Sequence, residues 1–194
     1  VARRQDTGQV LLPTEPLSVG TTLAVQPLNG TKTLTYGTPP DITYRMVWLN
    51  SSNFAPVNAR IFDVLPPGTS FVWGSLLCEV RGISFTQRCL YDEVNNRILW
   101  EGIVGADPGS TSLEDSNNGV IISFMLNVSP FFQTITNQAG SVVDTDNDGD
   151  FDDEPPNVGN RPSNPVTWER RVFEPARVIT SDDLVLTKSV NPFN

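Results

Sequence analysis

The sequence predicts an all-β chain built around one antiparallel β-sandwich. Three observations carry that prediction. No window sustains a helical period. Fourteen Gly and sixteen Pro are spread along the chain, and short β-rich runs recur between them. Val120, Ile122, Phe124, Leu126 and Val128 alternate with Ser123 and Asn127, the cleanest period-2 stretch in the chain, which marks a central strand. A length of 194 residues suffices for one sizeable domain or two small ones. The expected division is an N-terminal arm (1–20), the sandwich (21–143), an acidic loop (144–156), and an extended connector with a C-terminal strand (157–194).

Pro13, Pro16 and Gly20 break the arm, and its Val10-Leu-Leu12 fits only an edge strand. Thr21 to Gln26 is the first plausible strand, and Asn29-Gly30 reads as a turn after it. Thr33 to Tyr36 is a short strand before the Gly37-Thr-Pro-Pro40 break. From Ile42 to Leu49, Ile42, Tyr44, Met46 and Trp48 share a face, while Thr43 and Arg45 start a wet one. Val57 to Leu65 ends at Pro66-Pro-Gly68; Ser70 to Leu77 and Gly82 to Leu90 follow. Asn95-Asn96 turns the chain into Arg97 to Trp100, and Gly102 to Gly109 reads as loop. After the central strand, Ile135 to Val143 is the last sandwich strand. Pro155, Pro156, Gly159, Pro162 and Pro165 then give a connector, with an edge strand between Trp168 and Val178. Trp48, Trp73 and Trp100 lie in strand patterns and are expected in the core; Trp168 is the tryptophan expected at the surface or in a subunit contact.

Net charge is −9 and the pI is near 4.4, which argues against nucleic acid or an anionic membrane as partner. The chain has no His, so His-based triads and His metal sites are excluded. No apolar run approaches the roughly 18 residues of a membrane span. Val1-Ala-Arg-Arg does not read as a signal peptide, so a secreted form would be the mature one. The acidic pairs Asp92-Glu93, Glu114-Asp115 and Asp182-Asp183 adjoin turns or strand ends, where carboxylates are ordinarily solvated, and no catalytic residues are assigned. Cys78 and Cys89 flank Gly82, a spacing that suits a disulfide between neighbouring strands; two buried thiols are the alternative. The sequons at Asn29, Asn50 and Asn127 are weak signals, with Asn29 and Asn50 at expected turns.

The densest run of charge is Asp144-Thr-Asp-Asn-Asp-Gly-Asp-Phe-Asp-Asp-Glu154. So many carboxylates repel one another unless water or a cation answers them. Asp144, Asp146 and Asp148 alternate, Gly149 follows, and Asp150 and Asp152 continue the spacing. A hard cation such as calcium needs this order: oxygens at the first, third and fifth loop positions, glycine at the sixth, oxygens at the seventh and ninth. Pro155 stands where an EF-hand has its bidentate Glu, and no helical pattern flanks the loop. The loop therefore resembles the calcium loops of thrombospondin type-3 and related extracellular repeats. A solvated acidic linker is the other reading.

Tyr44-Arg-Met-Val-Trp-Leu-Asn50, Asn58-Ala-Arg-Ile-Phe-Asp-Val-Leu-Pro-Pro-Gly-Thr-Ser-Phe71, Ile98-Leu-Trp100 and Asn137-Gln-Ala139 follow one another in a familiar order. Over roughly residues 40–143 they resemble the repeat domain of unknown function found in tandem in bacterial and archaeal cell-surface proteins. Asp63-Val-Leu-Pro-Pro-Gly68 is the most specific part. The resemblance implies an immunoglobulin-like β-sandwich, an extracellular location at the cell surface, and a structural or adhesive role without enzymatic activity. Asp183-Leu-Val-Leu-Thr-Lys-Ser-Val-Asn-Pro192 looks like the opening strand of the same repeat.

That strand has three readings: donated to a sheet edge of a neighbouring copy, paired within its own sandwich, or left at a boundary before a further domain. Donation through Leu184, Val185, Leu186, Thr187 and Val190 gives a head-to-tail homo-polymer, with the N-terminal arm as the second choice of donor. The expected function is a subunit of a surface filament stiffened by calcium. A repeat module of a larger adhesin and a calcium-dependent carbohydrate-binding module are the alternatives.

Overall fold

A computed structural model describes residues 25–154 and 161–170; the arm, the connector residues 155–160 and the C-terminal strand lie outside the described residues. The described chain is all-β and antiparallel. Its first sheet holds β1 (Asn29–Tyr36), β2 (Asp41–Leu49) and β8 (Gly119–Val128) in that order. Two short strands share the far edge of β8: β4 (Thr69–Phe71) beside its end and β5 (Leu77–Arg81) beside its start. The second sheet runs β11 (Arg161–Pro162), β10 (Gly140–Val143), β3 (Val57–Val64), β7 (Arg97–Val104) and β6 (Phe85–Asp92). A small ribbon pairs β9 (Thr134–Asn137) with β12 (Val166–Glu169).

Period 2 fixes what each sheet buries. The inward faces of β2 and β8 contribute Ile42, Tyr44, Met46, Trp48, Val120, Ile122, Phe124 and Leu126, all fully buried. Ala59, Ile61, Ile98, Trp100 and Val104 face them from β3 and β7. The wet face expected at the start of β2 is present: Asp41, Thr43 and Arg45 are partly exposed, and only Val47 and Leu49 further along are buried. The central-strand reading of residues 120–128 holds, because β8 pairs with β2 on one side and with β4 and β5 on the other.

Several element expectations are corrected. Asn29-Gly30 is not a turn; it opens β1, with Asn29 opposite Leu49 and Gly30 opposite Trp48. Glycine is required there because a Cβ would sit 2.2 Å from the Trp48 ring. Of the strand expected over Thr21 to Gln26, residues 21–24 lie outside the described residues, and Val25 and Gln26 belong to no strand. Gly102 to Val104 continue β7 instead of starting a loop. Ile135 to Val143 is two strands in different sheets. The break falls at Gln138-Ala139, where the Ala139 N–H donates to Ser163 Oγ (3.1 Å), so β9 turns to β12 while β10 joins β3. The chain beyond the acidic loop returns, and β11 and β12 pair with the sandwich.

Two tryptophans exchange their expected places. Trp73 is 69% exposed, because β4 ends at Phe71 and the chain turns at Gly74 (φ 80°) before Trp73 can enter a ladder. Trp168 is 3% exposed: pairing of β12 with β9 turns its ring inward, and its Nε1 donates to Gly37 O at 2.8 Å. Asn50 is buried, with its amide nitrogen donating to Ala55 O (3.0 Å) and Val104 O (3.1 Å), so its sequon is inaccessible in the folded chain.

Cys78 and Cys89 are disulfide-bonded, with Cα atoms 6.5 Å apart. They sit on consecutive strands, yet β5 belongs to the first sheet and β6 to the second, so the bond joins the two sheet edges. Converting both to Ser is expected to cost about 2–3 kcal/mol, the loop-closure contribution of so short a loop. Denaturant unfolding of the double variant, beside the reduced parent, measures it.

Candidate metal centre and a buried polar cluster

The acidic loop begins where β10 ends. Asp144, the first loop residue, is 2% exposed and organises the rest of the loop. Its Oδ1 accepts from the Asn147 N–H (2.6 Å), and its Oδ2 accepts from the Gly149 N–H (3.0 Å) and from Asn58 Nδ2 (3.1 Å). Its own N–H donates to Asn58 O, continuing the β10–β3 ladder by one bond. Asn147 (φ 64°) and Gly149 (φ 88°) take left-handed backbone, which coils the loop back on itself.

Beyond Asp144 the acids form a ladder of local turns. The N–H of Asp148 donates to Asp146 Oδ1 (3.3 Å), that of Asp150 to Asp148 Oδ1 (2.7 Å), and that of Asp152 to Asp150 Oδ1 (2.9 Å). Each turn occupies one carboxylate oxygen and leaves the second for another partner. Glu154 closes the loop by accepting from Thr145 N (2.6 Å) and Thr145 Oγ1 (2.5 Å). Arg60 of β3 anchors the far side: Nη1 meets Asp152 Oδ1 at 2.8 Å, Nε meets Glu101 at 2.7 Å, and the guanidinium lies 4.7 Å from the ring centre of buried Phe151.

Of the five acids expected to hold calcium, Asp144, Asp146 and Asp148 come together, each offering an oxygen within 4.8 Å of the others. Asp150 carries the next turn of the ladder, and Asp152 faces Arg60. Such a set, all oxygen and reinforced by a buried carboxylate, suits a hard cation. Asp153 joins the same field. Partial desolvation, then the charges of Asp148, Asp146 and Asp150, raise its carboxyl above the ordinary carboxylate range. The turn-adjoining acids do local work instead. Asp92 is held below the usual range, chiefly by the Asn95 side chain, and Asp115 chiefly by the Ser112 N–H.

A second cluster joins residues that the sequence reading did not connect. Lys32 of β1 and Asp63 of β3 are 1% and 0% exposed, and Lys32 Nζ contacts Asp63 Oδ2. The ammonium position lies 4.4 Å from the Tyr44 ring centre and 5.6 Å from that of Phe124. Burial lowers the pKa of Lys32, against the opposing pull of Asp63. Burial likewise raises that of Asp63, against Lys32 and then the neighbouring Asn137 carboxamide. Asn137 of β9 is 3% exposed. Its Nδ2, the Asp63 Oδ1 and the Tyr44 Oη are all buried without a well-formed hydrogen bond. The backbone of Lys32 is clamped from the other side: its N–H donates to Asn164 Oδ1 (2.8 Å), and Asn164 Nδ2 donates back to its carbonyl (2.9 Å). The sequence carried a signal for this cluster. Asp63 falls on the Val57, Ala59, Ile61 face, and Asn137 on the Ile135, Ala139 face; both faces are buried.

No family model and no curated protein matches the chain. Several solved structures are distantly similar to it. The collagen-binding domain of a Staphylococcus aureus adhesin aligns at a TM-score of 0.46 and 13% identity, over 73% of this chain and 97% of that domain. The major pilin SpaD of Corynebacterium diphtheriae aligns at 0.46 and 12%, over 72% of this chain and 35% of the pilin. The major pilin SpaA of the same organism, described as pointing to a modular pilus assembly with stabilizing isopeptide bonds, aligns at 0.44 and 14%. This chain covers 39% of SpaA's length, so it corresponds in extent to part of either pilin.

Proposed function

We propose that the chain is a structural subunit of an extracellular cell-surface filament, joined head to tail by β-strand addition and stiffened by calcium. The observation that carries this reading is the free outer edge that the second sheet presents among the described residues, beside a sandwich core drawn from Leu28 to Trp168. The strand-patterned run Leu184, Val185, Leu186, Thr187, Val190 lies outside the described residues. At the end of the second sheet, β6 pairs only with β7 among the described residues, so its outer side is an edge to which a donated strand can add. Repeated contact of this kind does not close on itself and yields a filament.

Calcium has a defined task in this scheme. The acidic loop is tied to β3 through Asn58 and Arg60, and it precedes the stretch that leads toward the C-terminus. A cation shared by Asp144, Asp146 and Asp148 would lock that geometry and set the direction in which the chain departs. Deleting residues 184–194 is expected to abolish polymers seen by negative-stain electron microscopy while the monomer keeps its unfolding midpoint. Polymers that persist after the deletion reject C-terminal donation.

A repeat module of a larger adhesin is the second reading. Exposed Trp73 favours it. Its ring meets Phe71 (5.6 Å) and Tyr91 (5.7 Å) edge-on and forms an aromatic surface patch. Trp168, the tryptophan expected at the surface, is buried within its own chain and cannot serve there.

A further inference from the structure

We propose that Lys32 and Asn137 are joined by an intramolecular amide bond, formed autocatalytically in the folded chain with Asp63 as the proton-transfer residue. Lys32 contacts Asp63, the Asn137 carboxamide neighbours the same carboxyl, and the three side chains, each at least nine-tenths buried, sit by an apolar interior in which Tyr44 and Phe124 flank the amine. An ion pair is costly in such a place, and an unpaired amide nitrogen adds to the cost. Among the described residues the cluster lies inside the core, beside the buried Tyr44 and Phe124. A condensation between the members accounts for all of it.

The step balances without any further reactant. The neutral Lys32 amine attacks Cγ of the Asn137 carboxamide. Protonated Asp63 hydrogen-bonds the carboxamide and supports charge on its oxygen as the tetrahedral intermediate forms. The amine proton passes through the Asp63 carboxyl to the leaving nitrogen. The Cγ–Nδ2 bond breaks, ammonia departs, and Asp63 ends protonated as it began. The nitrogen expelled is the Asn137 Nδ2 that lacks a well-formed hydrogen bond, and the proton that Lys32 gave up before attacking stays on Asp63, so no charge is left in the cluster. The new amide N–H is placed to donate to Asp63, the acid that Lys32 already contacts. Burial makes the amine nucleophilic and keeps the acid protonated, and both conditions exist only in the folded chain.

The topology gives the bond a mechanical meaning. Lys32 is on β1, near the start of the described chain, and Asn137 is on β9, near its end. A covalent link between them closes β2 to β8 into one loop, so force applied at the two ends would bypass those strands through the bond, and only the pairings made by β10, β11 and β12 and by the outer ends of β1 and β9 would remain in its path.

The test is the mass of the full chain, denatured and with its disulfide reduced. The expected mass is lower than that of the sequence by one ammonia. Trypsin should leave Lys32 uncut and yield one branched species holding the Lys32 and Asn137 peptides. Lys32→Ala and Asn137→Ala are each expected to restore the full sequence mass, and Asp63→Asn should leave most of the chain uncondensed. Because the parent chain is weighed denatured, the result does not depend on any variant folding. An unaltered parent mass overturns the proposal. Loss of one water in place of ammonia overturns Asn137 as the acceptor, and full condensation in Asp63→Asn overturns the role of the acid.

Discussion

Asp63→Ala, made in an Asn137→Ala background so that no amide to Asn137 can form, is expected to lower folding stability by about 3–5 kcal/mol. The side chains of Lys32 and Asp63 have no exposed surface, so neither charge is shared with solvent. Removing the acid leaves the amine among Tyr44, Phe124 and the β2–β8 face with nothing to accept its protons. Deprotonation of Lys32 relieves part of this, which places the loss toward the lower end of the range. The reverse substitution, Lys32→Ala, strands a carboxyl that can also neutralise itself and adds a cavity. Replacing both by apolar residues of similar volume, Lys32→Met with Asp63→Leu, is expected to recover most of the loss, since a buried ion pair contributes little beyond well-packed apolar groups. Urea unfolding of the Asn137→Ala parent, the matched singles Lys32→Met and Asp63→Leu and their double forms a double-mutant cycle that reads the coupling directly. Additive single-variant effects would show that the two side chains do not act as a pair.

What the sequence disclosed and what it concealed divide along one physical line. Alternation reports the face of a strand, so Ile42–Trp48 and Val120–Val128 were legible as the core of the first sheet. It does not report which sheet a strand joins. Ile135–Val143 reads as one strand because no proline interrupts it, yet the chain changes sheets at Ala139 through a bond to Ser163, more than twenty residues away. Trp168 stands in a polar, Pro-rich stretch, and only the return of β12 to β9 determines that it is buried. The acidic loop was legible because its chemistry is local: Asp144 bonds to groups three and five residues on. The anchor Arg60 was not, being ninety-two residues from Asp152. For Lys32, Asp63 and Asn137, a polar residue on an apolar face was the available sign, but the partners that give it meaning lie on three separate strands.

Calcium is expected to raise the stability of the chain by about 2.7 kcal/mol at a hundredfold excess over its dissociation constant, and chelation to remove the whole of that gain. Magnesium should do much less, because the smaller ion keeps its waters and demands a stricter octahedron. Without the cation the loop works against itself. The Asp153 carboxyl is raised by desolvation and by Asp148, Asp146 and Asp150. A carboxyl raised in the folded chain favours folding while it is protonated, and that contribution is lost as pH rises through its folded value. The Asp153 contribution of the metal-free chain should therefore be lost as pH climbs through the carboxylate range, against the opposite contribution of the lowered Asp92 and Asp115, and calcium should cancel the Asp153 part. Asp144→Ala goes further, because it orphans the N–H groups of Asn147 and Gly149 and the Asn58 amide, at roughly 1–3 kcal/mol for each one left buried. Asp146→Asn sits on the exposed side of the cluster and separates the two effects: it should spare the metal-free fold and abolish the calcium increment. Melting temperatures of parent, Asp144→Ala and Asp146→Asn, each with calcium, magnesium or chelator, decide it. An identical midpoint for the parent in calcium and in chelator would leave the loop as a solvated turn.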